Sequence, residues 1–237
     1  MRPTPRWNLV RSRSVRAITP WLGLFLGALS AAQAHFLWIE SETPTEAKVY
    51  YGEFAEGLRE KAGAKLEERG ACRVFLDRAQ QPESPLSCSK MEDHFLARFQ
   101  SANGWILVQD LEGEVKDWRK HSLGIVKPVY YARAAVANRA SAPHAKMTLD
   151  ILPEANALQR LQVLFRDKPL PGAKVAVYAP NSWMRELRTD SEGRVTISTP
   201  WSGRYVVEVI HKENRRGEWR GKAYEAIRHR ATFSHVY

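Results

Sequence analysis

Of 237 residues, only two are cysteine and four are methionine. No Cys-x-x-Cys occurs, which excludes a dithiol redox motif, and the two cysteines, Cys72 and Cys88, are not at a metal-ligand spacing. The chain has no Gly-x-Ser-x-Gly, no Gly-x-x-x-x-Gly-Lys-Ser/Thr and no His-Glu-x-x-His. These absences exclude the serine-hydrolase elbow, the phosphate-cradling loop and the zinc-protease helix. No apolar run reaches the roughly 20 residues that a membrane-spanning helix needs. No internal repeat or low-complexity tract is present, so repeat architectures are excluded as well. The carboxylates Glu40, Glu53, Glu56 and Asp110 cannot be paired from spacing alone, which leaves glycosidase chemistry without a foothold.

Acid is missing altogether from the first 34 residues, which instead hold Arg2, Arg6, Arg11, Arg13 and Arg16. A short apolar stretch, Trp21 to Ala32, follows, and then Ala32-Gln33-Ala34. Basic region, apolar core and small-residue site in that order specify a cleavable signal peptide over 1–34, with His35 as the new N-terminus. No Arg-Arg pair lies in this segment, so the expected route is Sec export to the periplasm or the exterior. Cleavage removes five arginines, half of the net charge of +10. What stays is mildly basic, with a local cluster at Lys212, Arg215, Arg216, Arg220 and Lys222 that reads as a solvated loop. Nucleic acid is therefore not an expected partner, and no transmembrane segment is expected after cleavage. In an oxidising compartment Cys72 and Cys88 are expected to form a disulfide, contributing about 3 kcal/mol through loop closure.

The rest of the chain reads as strands bounded by Gly, Pro, Asn and Ser. Examples are Phe36-Leu37-Trp38-Ile39, Lys48-Val49-Tyr50-Tyr51, Trp105-Ile106-Leu107-Val108 and Val129 to Val136. One helix is expected over Ala55 to Arg69, and residues 137–144 read as a polar connector. The second half carries Leu161 to Phe165, Ala173 to Tyr178, the turn Asp190-Ser191-Glu192-Gly193, and Arg204 to His211. The expected architecture is all-β: an N-terminal β-rich domain over 35–144, then a C-terminal β-sandwich over 145–237 that resembles prealbumin-like or immunoglobulin-like modules. The six tryptophans beyond residue 34 read as core or loop anchors rather than a sugar-binding face.

Ala34-His35-Phe36-Leu37-Trp38-Ile39-Glu40, Tyr51-Gly52-Glu53-Phe54, the sandwich residues above and a closing stretch occur in order. The closing stretch is Gly217-Glu218-Trp219-x-Gly221, Tyr224 and Arg228-His229-Arg230-Ala231-Thr232-Phe233. In this arrangement the chain resembles the periplasmic family called domain of unknown function 4198. Members of that family are often labelled nickel or cobalt uptake components. The resemblance implies fold and compartment, and a role beside a membrane transporter or outer-membrane receptor; it brings no list of functional residues.

Chemistry must then come from the seven histidines. After cleavage His35 would carry a free α-amine beside its imidazole, and the amine and Nδ1 can chelate one ion. A second histidine would complete a three-nitrogen site. His211, at the end of a strand, and His229, in the last strand, are the candidates, since pairing of those strands would bring the two together. The leading expectation is a non-enzymatic metal-binding protein for nickel, cobalt or copper, with His35, His211 and His229 as ligands. The alternatives are a β-sandwich binding or structural module for a protein or glycan, and a copper-dependent oxidase. The oxidase would show a flat exposed His35 with an axial Tyr or Phe.

Overall fold

A computed structural model describes residues 35–63, 65–69, 73–78, 84–100, 103–137, 142–154 and 156–237. The expected signal peptide lies outside the described residues. So does Cys72; its expected partner Cys88 is a free, half-buried thiol whose titration burial pushes up to about 11.

The all-β expectation holds. The first half contains β1 (Phe36–Thr43), β2 (Glu46–Glu53), β3 (Leu58–Arg59), β4 (Arg73–Asp77), β5 (Ser84–Leu86), β6 (Cys88–Lys90), β7 (Phe95–Arg98), β8 (Trp105–Asp110), β9 (Lys116–Asp117) and β10 (Ile125–Ala135). The second contains β11 (Leu149–Glu154), β12 (Ala157–Phe165), β13 (Lys168–Pro169), β14 (Lys174–Tyr178), β15 (Met184–Arg188), β16 (Arg194–Thr196), β17 (Arg204–Glu213), β18 (Gly217–Trp219), β19 (Lys222–Tyr224) and β20 (Ala226–Val236). Among the described residues no helix is long and apolar enough to cross a membrane.

The helix expected over Ala55 to Arg69 is not there. Two short 3-10 turns, Phe54–Glu56 and Lys65–Arg69, flank β3 instead. Gly57 and Gly63 take positive φ values of 64° and 80°, which end any helical run. The segment also has no apolar stripe to bury, and its backbone is claimed by β2: Glu60 N–H donates to Tyr51 O at 2.8 Å.

A nine-stranded sheet forms the centre, in the order β15-β14-β17-β20-β10-β8-β4-β5, with β9 on β10. Its β10–β20 pair is parallel and runs from Val126↔Ala226 to Ala134↔Ser234, so one sheet is built from both halves of the chain. Successive strand residues point to opposite faces, and here both faces are covered. Tyr130, Ala132, Ala134, Ile106 and Val108 pack under the sheet β1-β2-β7-β6. Val129, Tyr131, Leu107, Ala231 and Phe233 pack under the sheet β11-β12-β13. Burial on both sides explains the near-continuous apolar runs of β8 and β10.

Strand β20 breaks that apolar rule for a specific reason. β1 ends its own sheet, so one row of its carbonyls has no strand partner. Alternate residues of β20 supply the donors. The Arg230 guanidinium donates to His35 O, Thr232 Oγ1 to Leu37 O at 2.6 Å, and Ser234 Oγ to Ile39 O at 2.5 Å. The same alternation turns His229, Ala231, Phe233 and His235 toward the opposite face. Between the halves, Arg133 and Asp150 form a fully buried two-pronged pair at 3.0 and 2.8 Å. Asp150 also accepts from the backbone N–H groups of Lys146, Met147 and Ile151, and so organises the entry to β11.

Candidate functional site

His35 stands immediately before β1 and is 2% exposed. The β1–β2 register places Phe36 opposite Gly52, so the first residue of the described chain lies beside the end of β2, where Glu53 projects. Nδ1 of His35 lies 3.1 Å from Glu53 Oε1, and Nε2 contacts Glu60 Oε1. Glu60 is delivered by β3, which pairs with β2 at Gly52 and Glu53. Glycine is required at 52: φ is 156°, and a Cβ there would collide with the carbonyl of Leu58.

A cation already sits against this pair. Lys65 Nζ is 3.2 Å from Glu60 Oε1 and 3.3 Å from His35 Nε2. Burial alone would raise the Glu60 carboxyl, but hydrogen bonds from His35 and Lys65 outweigh it and hold the group below its usual range. Lys65 is half exposed and comes from a short turn, so its ammonium can be withdrawn.

Behind His35 lies a cavity of about 170 Å³ lined by His35, Tyr51, Lys65, Arg69, Trp118 and Tyr130, among others. The Arg69 guanidinium lies 4.6 Å from the Tyr51 ring centre and 4.9 Å from that of Tyr130, and reaches Asp110 Oδ2 at 3.4 Å. Burial pushes both Asp110 and Tyr51 up from their ordinary values; Arg69 opposes it at each. His35 thus has two carboxylates at its ring nitrogens and lines a polar, aromatic-walled pocket. His35 is therefore buried, not exposed on a flat surface.

The three histidines expected to share one ion are divided by the central sheet. His211 and His229 do face each other across β17 and β20, with ring centres 6.4 Å apart. Both lie on the face opposite His35, because Arg230, the neighbour of His229, is the residue that reaches His35 O. His35 is therefore not joined by His211 or His229; Glu53 and Glu60 are the side chains at its ring nitrogens. Among the described residues, no three His, Cys, Asp or Glu side chains already converge as a metal cage.

Glu53 was legible in Tyr51-Gly52-Glu53-Phe54 and as a carboxylate that spacing alone could not pair. Glu60, Lys65 and Arg69 were hidden in the segment expected to be helical. The signal that could have exposed them was Gly57 and Gly63, which interrupt that segment.

The sequence model of a protein family described as "Domain of unknown function (DUF4198)" matches residues 32–213. No curated protein matches the chain.

Proposed function

This chain belongs to the DUF4198 family, and on that premise we propose that it is an exported, non-enzymatic protein that binds one nickel, cobalt or copper ion at His35 and serves transition-metal uptake or homeostasis beside a membrane transporter or receptor. The observation that carries this reading is the clamp on His35: a buried imidazole with Glu53 on one ring nitrogen and Glu60 on the other. Imidazole nitrogen with carboxylate oxygen suits late first-row divalent ions; an ion on Nε2 takes Glu60 as its carboxylate, while Glu53 holds the ring at Nδ1.

The residues fit such an ion. Lys65 Nζ lies within 3.3 Å of both His35 Nε2 and Glu60 Oε1, so a cation is already favoured there and a metal would take its place. If the chain begins at His35, the α-amine and Nδ1, on the Glu53 side of the ring, offer a second mode of chelation. Ligands must be deprotonated to bind, so affinity falls as pH drops through the amine and imidazole ranges.

Calorimetric titration of the exported protein with Ni(II) tests the reading. The wild type is expected to take up an equivalent that His35→Ala abolishes and Glu60→Gln weakens. Lys65→Ala should tighten binding by roughly fivefold, about 1 kcal/mol, the scale of a half-exposed ion pair. Uptake that His35→Ala leaves unchanged would sink the proposal.

A further inference from the structure

The other face of the central sheet holds a second set of metal-competent groups. His211 and His229 are directly opposed in the antiparallel β17–β20 pair, and Glu213 follows His211 on the same face of β17. Nε2 of His229 lies 3.1 Å from Glu213 Oε2. The Tyr131 hydroxyl lies 3.1 Å from Nδ1 and sets the ring's orientation. Phe165, from the end of β12, packs against both imidazoles, at 4.3 Å from His211 and 5.2 Å from His229 between ring centres.

We propose that His211, His229 and Glu213 bind a divalent transition ion as a second site, built from two imidazoles and one carboxylate, on the face of the central sheet opposite His35. The inference does not depend on the His35 site, since the two share no residue.

Tyr131 plays the part that outer-shell partners play around metal-bound histidines: it occupies the nitrogen that does not bind and leaves Nε2 for the ion. Two imidazoles on one tetrahedral ion have ring centres roughly 5 Å apart, given metal–nitrogen distances of about 2 Å. From 6.4 Å the half-buried His211 must swing inward by about 1 Å. The Arg166 guanidinium, half exposed and 2.8 Å from Glu213 Oε1, is the cation an incoming metal competes with.

The test is titration with Zn(II), the ion best suited to two histidines and a carboxylate. It uses full-length exported protein carrying His35→Ala, with thermal melts confirming each variant as folded. One equivalent should bind, His211→Ala and Glu213→Gln should each remove it, and Tyr131→Phe should weaken it by on the order of tenfold. Arg166→Ala should tighten it, a result that a purely structural hydrogen-bond network does not produce. The same count on the wild-type background, where His211→Ala should remove one equivalent and leave any His35-dependent one, covers a His35→Ala variant that folds poorly. No Zn(II) uptake by folded His35→Ala protein, or uptake that His211→Ala leaves intact, would overturn the second site. A wild type that binds Zn(II) through His211 but shows no His35-dependent Ni(II) equivalent would instead overturn the first.

Discussion

At the scale of single residues, buried histidines make this protein sensitive to acid. His235 is 7% exposed, stacked 6.2 Å from Phe233 and edge-on to Tyr237 at 4.6 Å. Burial, helped by Arg204, pushes its titration down to about 4. The unfolded chain, with a histidine near 6.5, therefore binds this proton more tightly than the folded one. Stability is whole above the ordinary histidine range and is lost progressively as pH falls from there toward about 4, by up to about 3 kcal/mol. His211 and His229, also lowered by burial, act in the same direction. Urea unfolding across this range should show the midpoint falling with acidification, and His235→Phe should flatten part of the fall. An unchanged slope in His235→Phe would remove His235 from the account.

At the scale of elements, the site depends on how β3 lies against β2. Gly52 lets the Leu58 carbonyl come into contact with the β2 backbone, and the same approach delivers Glu60 to His35. Gly52→Ala should cost about 1–3 kcal/mol through its strained φ and the collision. It should also weaken metal binding, because β3 must move away with Glu60. Thermal melts together with Ni(II) titration check this; a variant that melts lower yet binds equally well would break the link between β3 and the site. Here the sequence was only partly readable. Strands such as Trp105–Asp110 and Ile125–Ala135 were evident from β-branched and aromatic runs. The charged Ala55–Arg69 segment suggested a helix because charge density is visible in a sequence while a hydrogen bond such as Glu60 N–H to Tyr51 O is not. The buried polar row of β20 was equally opaque: nothing in the sequence marks Thr232 and Ser234 as donors to the carbonyls of β1.

At the scale of the whole molecule, the parallel β10–β20 pair and the Arg133–Asp150 pair couple the two halves. Asp150→Asn leaves a buried guanidinium without its charge partner and should cost about 3–5 kcal/mol. Denaturant unfolding is expected to stay a single transition that shifts as a whole, read by near-ultraviolet dichroism and tryptophan fluorescence together. Two separated transitions would show halves that unfold independently. The pairing of His211 with His229 was foreseeable from strand order, since neighbouring antiparallel strands bring those positions together. Their separation from His35 was not, because it depends on which face of β20 meets β1, and only the layering of three sheets decides that.

The central claim is that His35, with Glu53 and Glu60, holds a transition metal. Anomalous scattering from crystals of the exported protein grown with Ni(II) tests it most directly. The account predicts a peak about 2 Å from a ring nitrogen of His35, with a Glu53 or Glu60 oxygen in the same coordination shell and Lys65 Nζ displaced from Glu60. A fully loaded crystal with no peak at His35, and Lys65 still bridging Glu60 and the imidazole, would contradict it.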